Sequence, residues 1–372
     1  MRLFHYALAA FLLLTAQPPL FAADTIKIGV AGAHSGDLAS YGLPSLNAVK
    51  IVIDKTNAQG GVNGKQIELL AEDDACKPEM ATNAATKLLS EGARLVIGHV
   101  CSGATKAALP IYKNAGVVVI SPSATSPELT HSGEYPNFFR AIAPDDTQAR
   151  IDVDFAINGL GAKNIAVIHD KGDYGKGFAE FAKKFIEDSG KAKVALFEGV
   201  TPGAVDYSAI VQKIKQSRAD AVMFGGYHPE ASKIVGMMKR KKLQAAFISD
   251  DGVKDMTFIK VAGKNAEGVY ASGPKDTTNN PLSIQAFAEH RAMYQSDAGA
   301  FYENAYAAAL AVVNALKATN GATDLPGLRQ ALRTEQVDTP LGTISFNAEG
   351  DAVGVGFSIF QVRNGQFVEV KQ

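Results

Sequence analysis

The sequence contains no tryptophan and only two cysteines among its 372 residues. Two cysteines are too few for a small disulfide scaffold or a protein with several zinc sites, and any aromatic pocket must use phenylalanine or tyrosine. Neither charge dominates, because 37 basic and 38 acidic side chains give a formal net charge of −1. Nucleic-acid binding favours a basic surface, so we expect no nucleic-acid partner. A hydrophobic content of 47 % excludes a disordered or coiled-coil chain.

Catalytic motifs are also missing. The chain has no GxSxG nucleophile elbow, no phosphate loop of the GxxxxGKS or GxxxxGKT type and no HExxH metal site. His99 and Ser102 could form a base and a nucleophile, but at three residues apart around a strand end we expect them to point in different directions. We therefore expect no enzymatic activity, no metal and no cofactor. A secreted hydrolase or amidase is the less favoured alternative.

The first 23 residues have the pattern of an export signal. Arg2 supplies a positive charge, and residues 6–16 form an apolar run too short to span a bilayer as a helix. Two prolines end the run, and small residues follow at a cleavage site after Ala22 or Ala23. We expect the signal to be removed and the mature protein to be periplasmic. A short N-terminal membrane anchor is the alternative.

Export changes the interpretation of the two cysteines. An exported chain meets an oxidising compartment, which favours a disulfide between Cys76 and Cys101. A redox pair is one alternative, although such pairs usually have CxxC spacing. A metal site that uses His99 and Cys101 is another, although zinc needs four ligands.

Strand-like and helix-like segments alternate along the chain. Short apolar strands over residues 95–100 and 117–121 lie between helical segments, a pattern typical of a parallel sheet covered on both faces. The pattern restarts after residue 142, and two such runs are too large to share one core. The sequence therefore predicts an α/β fold with two doubly wound sheets. Asn364-Gly365 predicts a hairpin at the end of the chain.

Two local features give sharper expectations. Pro44 suits the first turn of a helix predicted over residues 44–57. Asp73 and Asp74 could bind a metal, but we expect instead a solvated loop that caps the helix beginning at Pro78.

Polar residues follow the predicted strands, where ligands of open α/β sheets bind. The first half of the chain contributes hydroxyls and helix-starting N–H groups at Ser102 and residues 121–125, which suit an anion. The second half contributes Tyr174, Tyr227 and the carboxylates of residues 250–251, which suit a cation. A zwitterion held between two lobes would fit both sets. The alternative is that each of these residues caps a helix.

At these loops the sequence resembles the bacterial periplasmic binding proteins of ABC importers for branched-chain amino acids. The resemblance covers nearly the whole mature chain. The matching stretches are residues 60–65 (GGVNGK), 73–76 (DDAC), 96–102 (VIGHVCS), 121–130 (SPSATSPELT), 169–171 (HDK) and 225–230 (GGYHPE).

The resemblance implies the type I periplasmic binding protein fold, with two Rossmann-like lobes joined by three crossover segments. The first lobe would comprise residues 24–143 with 274–349, and the second residues 144–273 with 350–372. It also implies a monomer that captures a small aliphatic L-amino acid and delivers it to an inner-membrane ABC permease. A ligand-sensing component with the same fold remains an alternative.

The resemblance further implies roles for individual residues. Ser102 and Thr125 would hold the ligand carboxylate. The ammonium would contact the Ser123 backbone carbonyl, Tyr227 and Asp251, where Asp251 replaces the glutamate of close relatives. The ligand side chain would contact Tyr41, Val100, Cys101, Tyr174, Gly252 and Phe301. The family disulfide would join Cys76 and Cys101.

Overall fold

The structure is a computed structural model, and it describes residues 25–371. The predicted export signal lies outside the described residues. Within them, no helix is both long and apolar enough to cross a membrane.

The first part of the chain forms a five-stranded parallel sheet with the strand order β2-β1-β3-β4-β5. Strands β3 and β4 are short and fully buried, and their residues are apolar except for Ser121 at the end of β4, as expected for a sheet covered on both faces. The strands are β1 (Ile26–Gly32), β2 (Ile67–Asp73), β3 (Leu95–Ile97), β4 (Val118–Ser121) and β5 (Phe138–Arg140). The helices are α1 (Ala39–Ala58), α2 (Pro78–Ser90), α3 (Ser102–Asn114) and α4 (Glu128–His131).

The chain then begins a second, seven-stranded sheet. Five of its strands are β6 (Asn164–His169), β7 (Lys193–Gly199), β8 (Ala221–Gly225), β9 (Ala246–Ser249) and β10 (Tyr270–Pro274). The helices are α5 (Asp145–Asp154), α6 (Asp173–Ser189), α7 (Ser208–Ser217), α8 (His228–Arg240) and α9 (Met256–Ala262). A π-helical segment (Phe155–Gly159) extends α5, and a 3₁₀ segment (Gly263–Ala266) follows α9.

The chain next returns to the first sheet and finally to the second. Helix α11 packs against α1, β3 and β4. The returning elements are α10 (Pro281–Tyr294), α11 (Tyr302–Ala318), α12 (Leu325–Thr334) and a small antiparallel sheet of β11 (Val337–Thr339), β12 (Gly342–Phe346) and β13 (Ala352–Val353). Strands β14 (Phe357–Arg363) and β15 (Gln366–Glu369) complete the second sheet, whose order is β15-β14-β10-β9-β8-β6-β7. We call each large sheet with the elements packed on it a lobe.

The two doubly wound sheets confirm the predicted fold class. The terminal hairpin is confirmed as well, since Arg363 pairs with Gln366 and both Asn364 and Gly365 have positive φ. The placement of Pro44 in the first turn of its helix is wrong, because α1 begins at Ala39. The additional turn buries Tyr41, so tertiary packing outweighs the missing backbone N–H of the proline.

A disulfide joins Cys76 to Cys101. Beside it, the prediction of a solvated loop at Asp74 is wrong. The Asp74 carboxylate is fully buried, accepts a hydrogen bond from the Cys76 N–H at 2.7 Å and lies 2.5 Å from His99 Nδ1. Helix α2 has no side-chain cap. Asp74 therefore ties the disulfide loop to a buried imidazole instead of capping a helix.

Removing this disulfide should destabilise the protein without removing the residues of the cavity described below. The bond spans 25 residues, and closure of such a loop restricts the unfolded chain by about 3.5 kcal/mol. We expect urea unfolding of the double variant Cys76→Ala/Cys101→Ala to show a loss of about that size. Reductant should destabilise the wild type similarly and leave the double variant unchanged. A loss below about 1 kcal/mol would contradict the chain-entropy account.

Candidate ligand-binding site

A small cavity lies where the carboxyl ends of the strands in the two lobes face each other. This is the place where open α/β sheets bind ligands. Residues from both lobes line it: Tyr41, Val100, Ser102, Ser123, Tyr174, Tyr227, Asp251, Gly252 and Phe301.

The structure thus brings together nine of the residues singled out from the sequence. The other two, Cys101 and Thr125, are buried next to lining residues in the chain but are not part of the lining. Cys101 is committed to the disulfide. The Thr125 side chain is fully buried beside the carboxylate of Asp145.

The first-lobe side of the cavity carries hydroxyls and a helix N-terminus. Ser102 is the first residue of α3, and its Oγ accepts a hydrogen bond from the Ser126 N–H at 3.2 Å. The Ser123 hydroxyl donates to the Val100 carbonyl at 2.8 Å. The N-terminal N–H groups of a helix and its dipole favour an anion. This side is therefore suited to a carboxylate.

The second-lobe side centres on Asp251, which is 2 % exposed. Its Oδ1 accepts a short hydrogen bond from the Tyr174 hydroxyl, whose oxygen in turn accepts the Gly252 N–H at 3.0 Å. Burial raises the pKa of Asp251 to about 6, although hydrogen bonding from Tyr174 and Gln148 opposes this rise. A buried carboxylate that forms no ion pair within the described residues is a site for a cationic group.

Aromatic rings form the rest of the wall. The Tyr41 ring lies 5.9 Å from Tyr227 and 5.8 Å from Phe301, and Tyr227 lies 5.2 Å from Tyr174. With Val100, these rings give the cavity an apolar surface in addition to the side suited to a carboxylate and the side that carries Asp251. A small molecule with a positive group, a negative group and an apolar body fits this arrangement.

Two buried residues of α5 near the site were missed by the sequence analysis. Asp145 is fully buried beside the Thr125 hydroxyl, and burial, followed by the charge of Asp251, raises the pKa of Asp145 well above its usual value. Gln148 donates to the Ser272 hydroxyl at 2.9 Å. An acidic residue in the first helical turn occurs at many helix starts, so the sequence carried no signal that distinguished Asp145.

His99 is not placed to act on Ser102. Its Nδ1 faces Asp74 and its Nε2 lies 3.1 Å from the Tyr112 hydroxyl. Both ring nitrogens are therefore engaged away from the cavity. Within the described residues, no group of three or more His, Cys, Asp or Glu side chains is arranged to hold a metal ion.

Comparisons with known proteins agree along nearly the whole described chain. The profile of the family described as periplasmic binding protein matches residues 25–366. The leucine-, isoleucine-, valine-, threonine- and alanine-binding protein of Pseudomonas aeruginosa is 37 % identical over 340 residues, which cover 91 % of this chain and 90 % of that protein. The Leu/Ile/Val-binding protein of Escherichia coli is 33 % identical over 351 residues, which cover 94 % of each.

A solved structure supports the same assignment. It is the branched-chain amino acid transporter substrate-binding protein of Streptococcus pneumoniae in complex with isoleucine, with a TM-score of 0.83 and 29 % identity. The match covers 93 % of this chain and 100 % of that one. Together, the profile, the relatives and this structure confirm the resemblance seen in the sequence: the chain belongs to the periplasmic binding protein family.

Proposed function

We propose that the chain is the periplasmic substrate-binding protein of an ABC transporter and that it captures a small aliphatic L-amino acid of the leucine, isoleucine and valine class. The two curated relatives are named for binding these amino acids, and the solved relative holds isoleucine. The observation in this chain that carries the proposal is the buried carboxylate of Asp251, which lines a cavity together with Ser102 at a helix N-terminus.

In this proposal each end of the cavity recognises one charge of the amino acid. Ser102, with Thr125 behind it, takes the carboxylate, while Ser123, Tyr227 and Asp251 take the ammonium. The aromatic wall and Val100 take the side chain. Burying an aliphatic side chain supplies about 1.5–3 kcal/mol, and the polar groups require a free amino acid because a ligand without an ammonium leaves Asp251 buried and unpaired.

We further propose that binding proceeds by closure of the two lobes, with residues 24–143 and 274–349 in the first and 144–273 and 350–372 in the second. Sheet membership supports this division, since β1–β5 form one sheet and β6–β10 with β14 and β15 form the other. The first lobe contributes five residues of the cavity lining and the second lobe four, so a ligand that contacts both lobes stabilises the closed state. The inner-membrane permease then receives the ligand, and no bond is made or broken.

A calorimetric screen of the twenty amino acids against refolded, ligand-free protein tests the proposal. We expect leucine, isoleucine and valine to bind within about 1–3 kcal/mol of each other, because a plain apolar pocket separates a methylene or a branch by no more than that. Two leucine analogues serve as controls: 4-methylpentanoate lacks the ammonium and leucinamide lacks the carboxylate, so both should bind far more weakly. Equal binding of 4-methylpentanoate and leucine would contradict the proposed site.

The affinity should depend on pH through Asp251. Because burial raises the pKa of Asp251 to about 6, lowering the pH below that value protonates the carboxylate and removes the counter-charge of the ligand ammonium. The ligand keeps both of its own charges between about pH 5 and 7. We expect the dissociation constant to rise below pH 6, by at most about tenfold per pH unit, and to vary much less in Asp251→Asn. A flat profile in the wild type would contradict the role of Asp251.

A further inference from the structure

The second lobe carries a strongly basic surface at the edge of its sheet that faces away from the cavity. The cavity lies at the carboxyl ends of the parallel strands, so the connections at their amino ends form the opposite edge. We call this surface the basic edge and define it as residues 161–164, 187–193, 215–220, 239–246, 260–268 and 363–365.

The basic side chains of this edge outnumber its acidic ones twelve to four, although the whole chain has a formal net charge of −1. The rest of the chain therefore has an excess of acid, and the positive charge is concentrated at one place. All twelve basic residues are exposed: Lys163, Lys191, Lys193, Lys215, Arg218, Lys239, Arg240, Lys241, Lys242, Lys260, Lys264 and Arg363.

The acidic residues of the basic edge are already bound to other groups. Asp220 accepts two backbone N–H groups at 2.8 and 2.9 Å, and Glu267 accepts one at 3.1 Å. Glu187 and Asp188 each pair with the lysine four residues earlier in α6, outside the edge. Within residues 25–371, none of the twelve basic side chains forms an ion pair, so the edge presents its positive charge to the solvent.

Helix ends explain only part of this charge. Lys215, Lys239, Arg240 and Lys260 lie in the last turns of their helices, where the helix dipole favours cations. The other eight basic residues lie outside the α-helices, in connections and at strand ends. Stabilisation of helices therefore leaves most of the basic edge without an explanation.

A second cavity opens within the basic edge, where β9 and β10 separate. The two strands pair only from Ile248 and Tyr270 onwards, and the residues just before this point line the cavity together with the end of α8. Met238 and Phe247 contribute apolar groups to the lining, and Lys239 contributes a charge. Positive charge beside an apolar recess suits an amphiphile with an anionic head better than a polyanion without an apolar part.

We propose that the basic edge docks the protein on the anionic phospholipids of a membrane surface. Clusters of four to eight Lys and Arg bind anionic lipid headgroups, and residues 239–242 alone supply four. Because this edge faces away from the ligand cavity, the docked protein can still bind and release its ligand. The inference rests on the proposed function, since a periplasmic partner of a permease works at the outer face of the inner membrane.

Co-sedimentation of the mature chain with lipid vesicles tests the inference. We expect binding to vesicles of phosphatidylglycerol and phosphatidylcholine in equal parts at about 0.1 M salt, where charges act over about 10 Å. Vesicles of phosphatidylcholine alone should not bind the protein. Binding should also be lost at about 1 M salt, where screening reduces that range to about 3 Å.

Two quadruple variants separate the basic edge from the overall charge. One basic residue near an anionic membrane strengthens binding about fivefold, so removing four should weaken it by up to several hundred-fold. The test variant is Lys239→Gln/Arg240→Gln/Lys241→Gln/Lys242→Gln. The control changes the net charge equally but removes first-lobe lysines that are paired with acids, and it should bind nearly as well as the wild type. It is Lys27→Gln/Lys50→Gln/Lys87→Gln/Lys106→Gln.

Three results would overturn the inference. They are a wild type that does not bind the phosphatidylglycerol vesicles, an equal loss in the two variants, and release by millimolar inorganic phosphate but not by chloride of the same ionic strength. The last result would assign the edge to a free phosphate ligand. Leucine affinity tests the proposed function separately, because the variant at residues 239–242 should bind leucine as the wild type does. A wild type that binds vesicles but no amino acid would overturn the proposed function and leave the lipid contact standing.

Discussion

Replacing Asp251 with asparagine is expected to weaken amino acid binding by about 150- to 5,000-fold, because breaking a buried ion pair typically costs about 3–5 kcal/mol. The asparagine keeps the size of the side chain and removes its charge. Asp251 is 2 % exposed and is the one carboxylate among the residues that line the cavity, so a bound ammonium would lose its only carboxylate contact from the lining. Calorimetry measures the change in affinity for leucine and for the tightest ligand found in the screen of the twenty amino acids.

Asp250→Asn provides the control for this experiment. Asp250 is the preceding residue and is fully buried, but its Oδ2 accepts the Gly226 N–H at 2.9 Å and it does not line the cavity. Its substitution should affect stability more than affinity. Asp251→Glu restores the side chain expected in close relatives and should bind within about tenfold of the wild type. If Asp250→Asn weakens binding and Asp251→Asn does not, the ammonium contacts Asp250 and its assignment to Asp251 is wrong.

The sequence was sufficient for the repeated local pattern of the fold but not for the path of the chain between lobes. Strand β3 is apolar throughout and β4 is apolar up to Ser121 at its end, because both faces of the sheet are covered, so their composition identifies them. Strand β10 and the small sheet of β11–β13 were not predicted. Their pairing depends on distant partners, as when Tyr270 of β10 faces Gln361 of β14, and no local periodicity encodes such partners.

The candidate site was predictable where a residue follows a strand, because the carboxyl ends of parallel strands meet at one place. Ser102, Ser123 and Asp251 are of this kind. Tyr41 and Phe301 lie at helix starts and were identified only through the family resemblance. Asp74 shows the limit of local reasoning: its sequence position suggests a helix cap, but the fold brings the buried His99 within 2.5 Å of its carboxylate.

Stability should depend strongly on one buried ion pair that organises the loop after β4. Arg140 is fully buried, and its Nε donates to Asp351 at 2.6 Å. Its other nitrogens donate to the carbonyls of Ala124 and Ser126 and to the Thr130 hydroxyl. We expect Asp351→Asn to lower the free energy of unfolding by about 3–5 kcal/mol, since the guanidinium would remain buried without a counter-charge. Chemical denaturation followed by circular dichroism measures the loss.

An exposed pair with the same separation isolates the effect of burial. Arg291 Nη2 lies 2.6 Å from Asp297 Oδ1, the same distance as in the buried pair, but the two side chains are 69 % and 84 % exposed. Water solvates both charges when such a pair is broken, and many exposed pairs contribute nothing measurable. Asp297→Asn should therefore leave the unfolding curve unchanged. Equal losses of stability in the two variants would mean that the separation of the two charges, and not the burial of Arg140, determines how much Asp351 contributes to the free energy of unfolding.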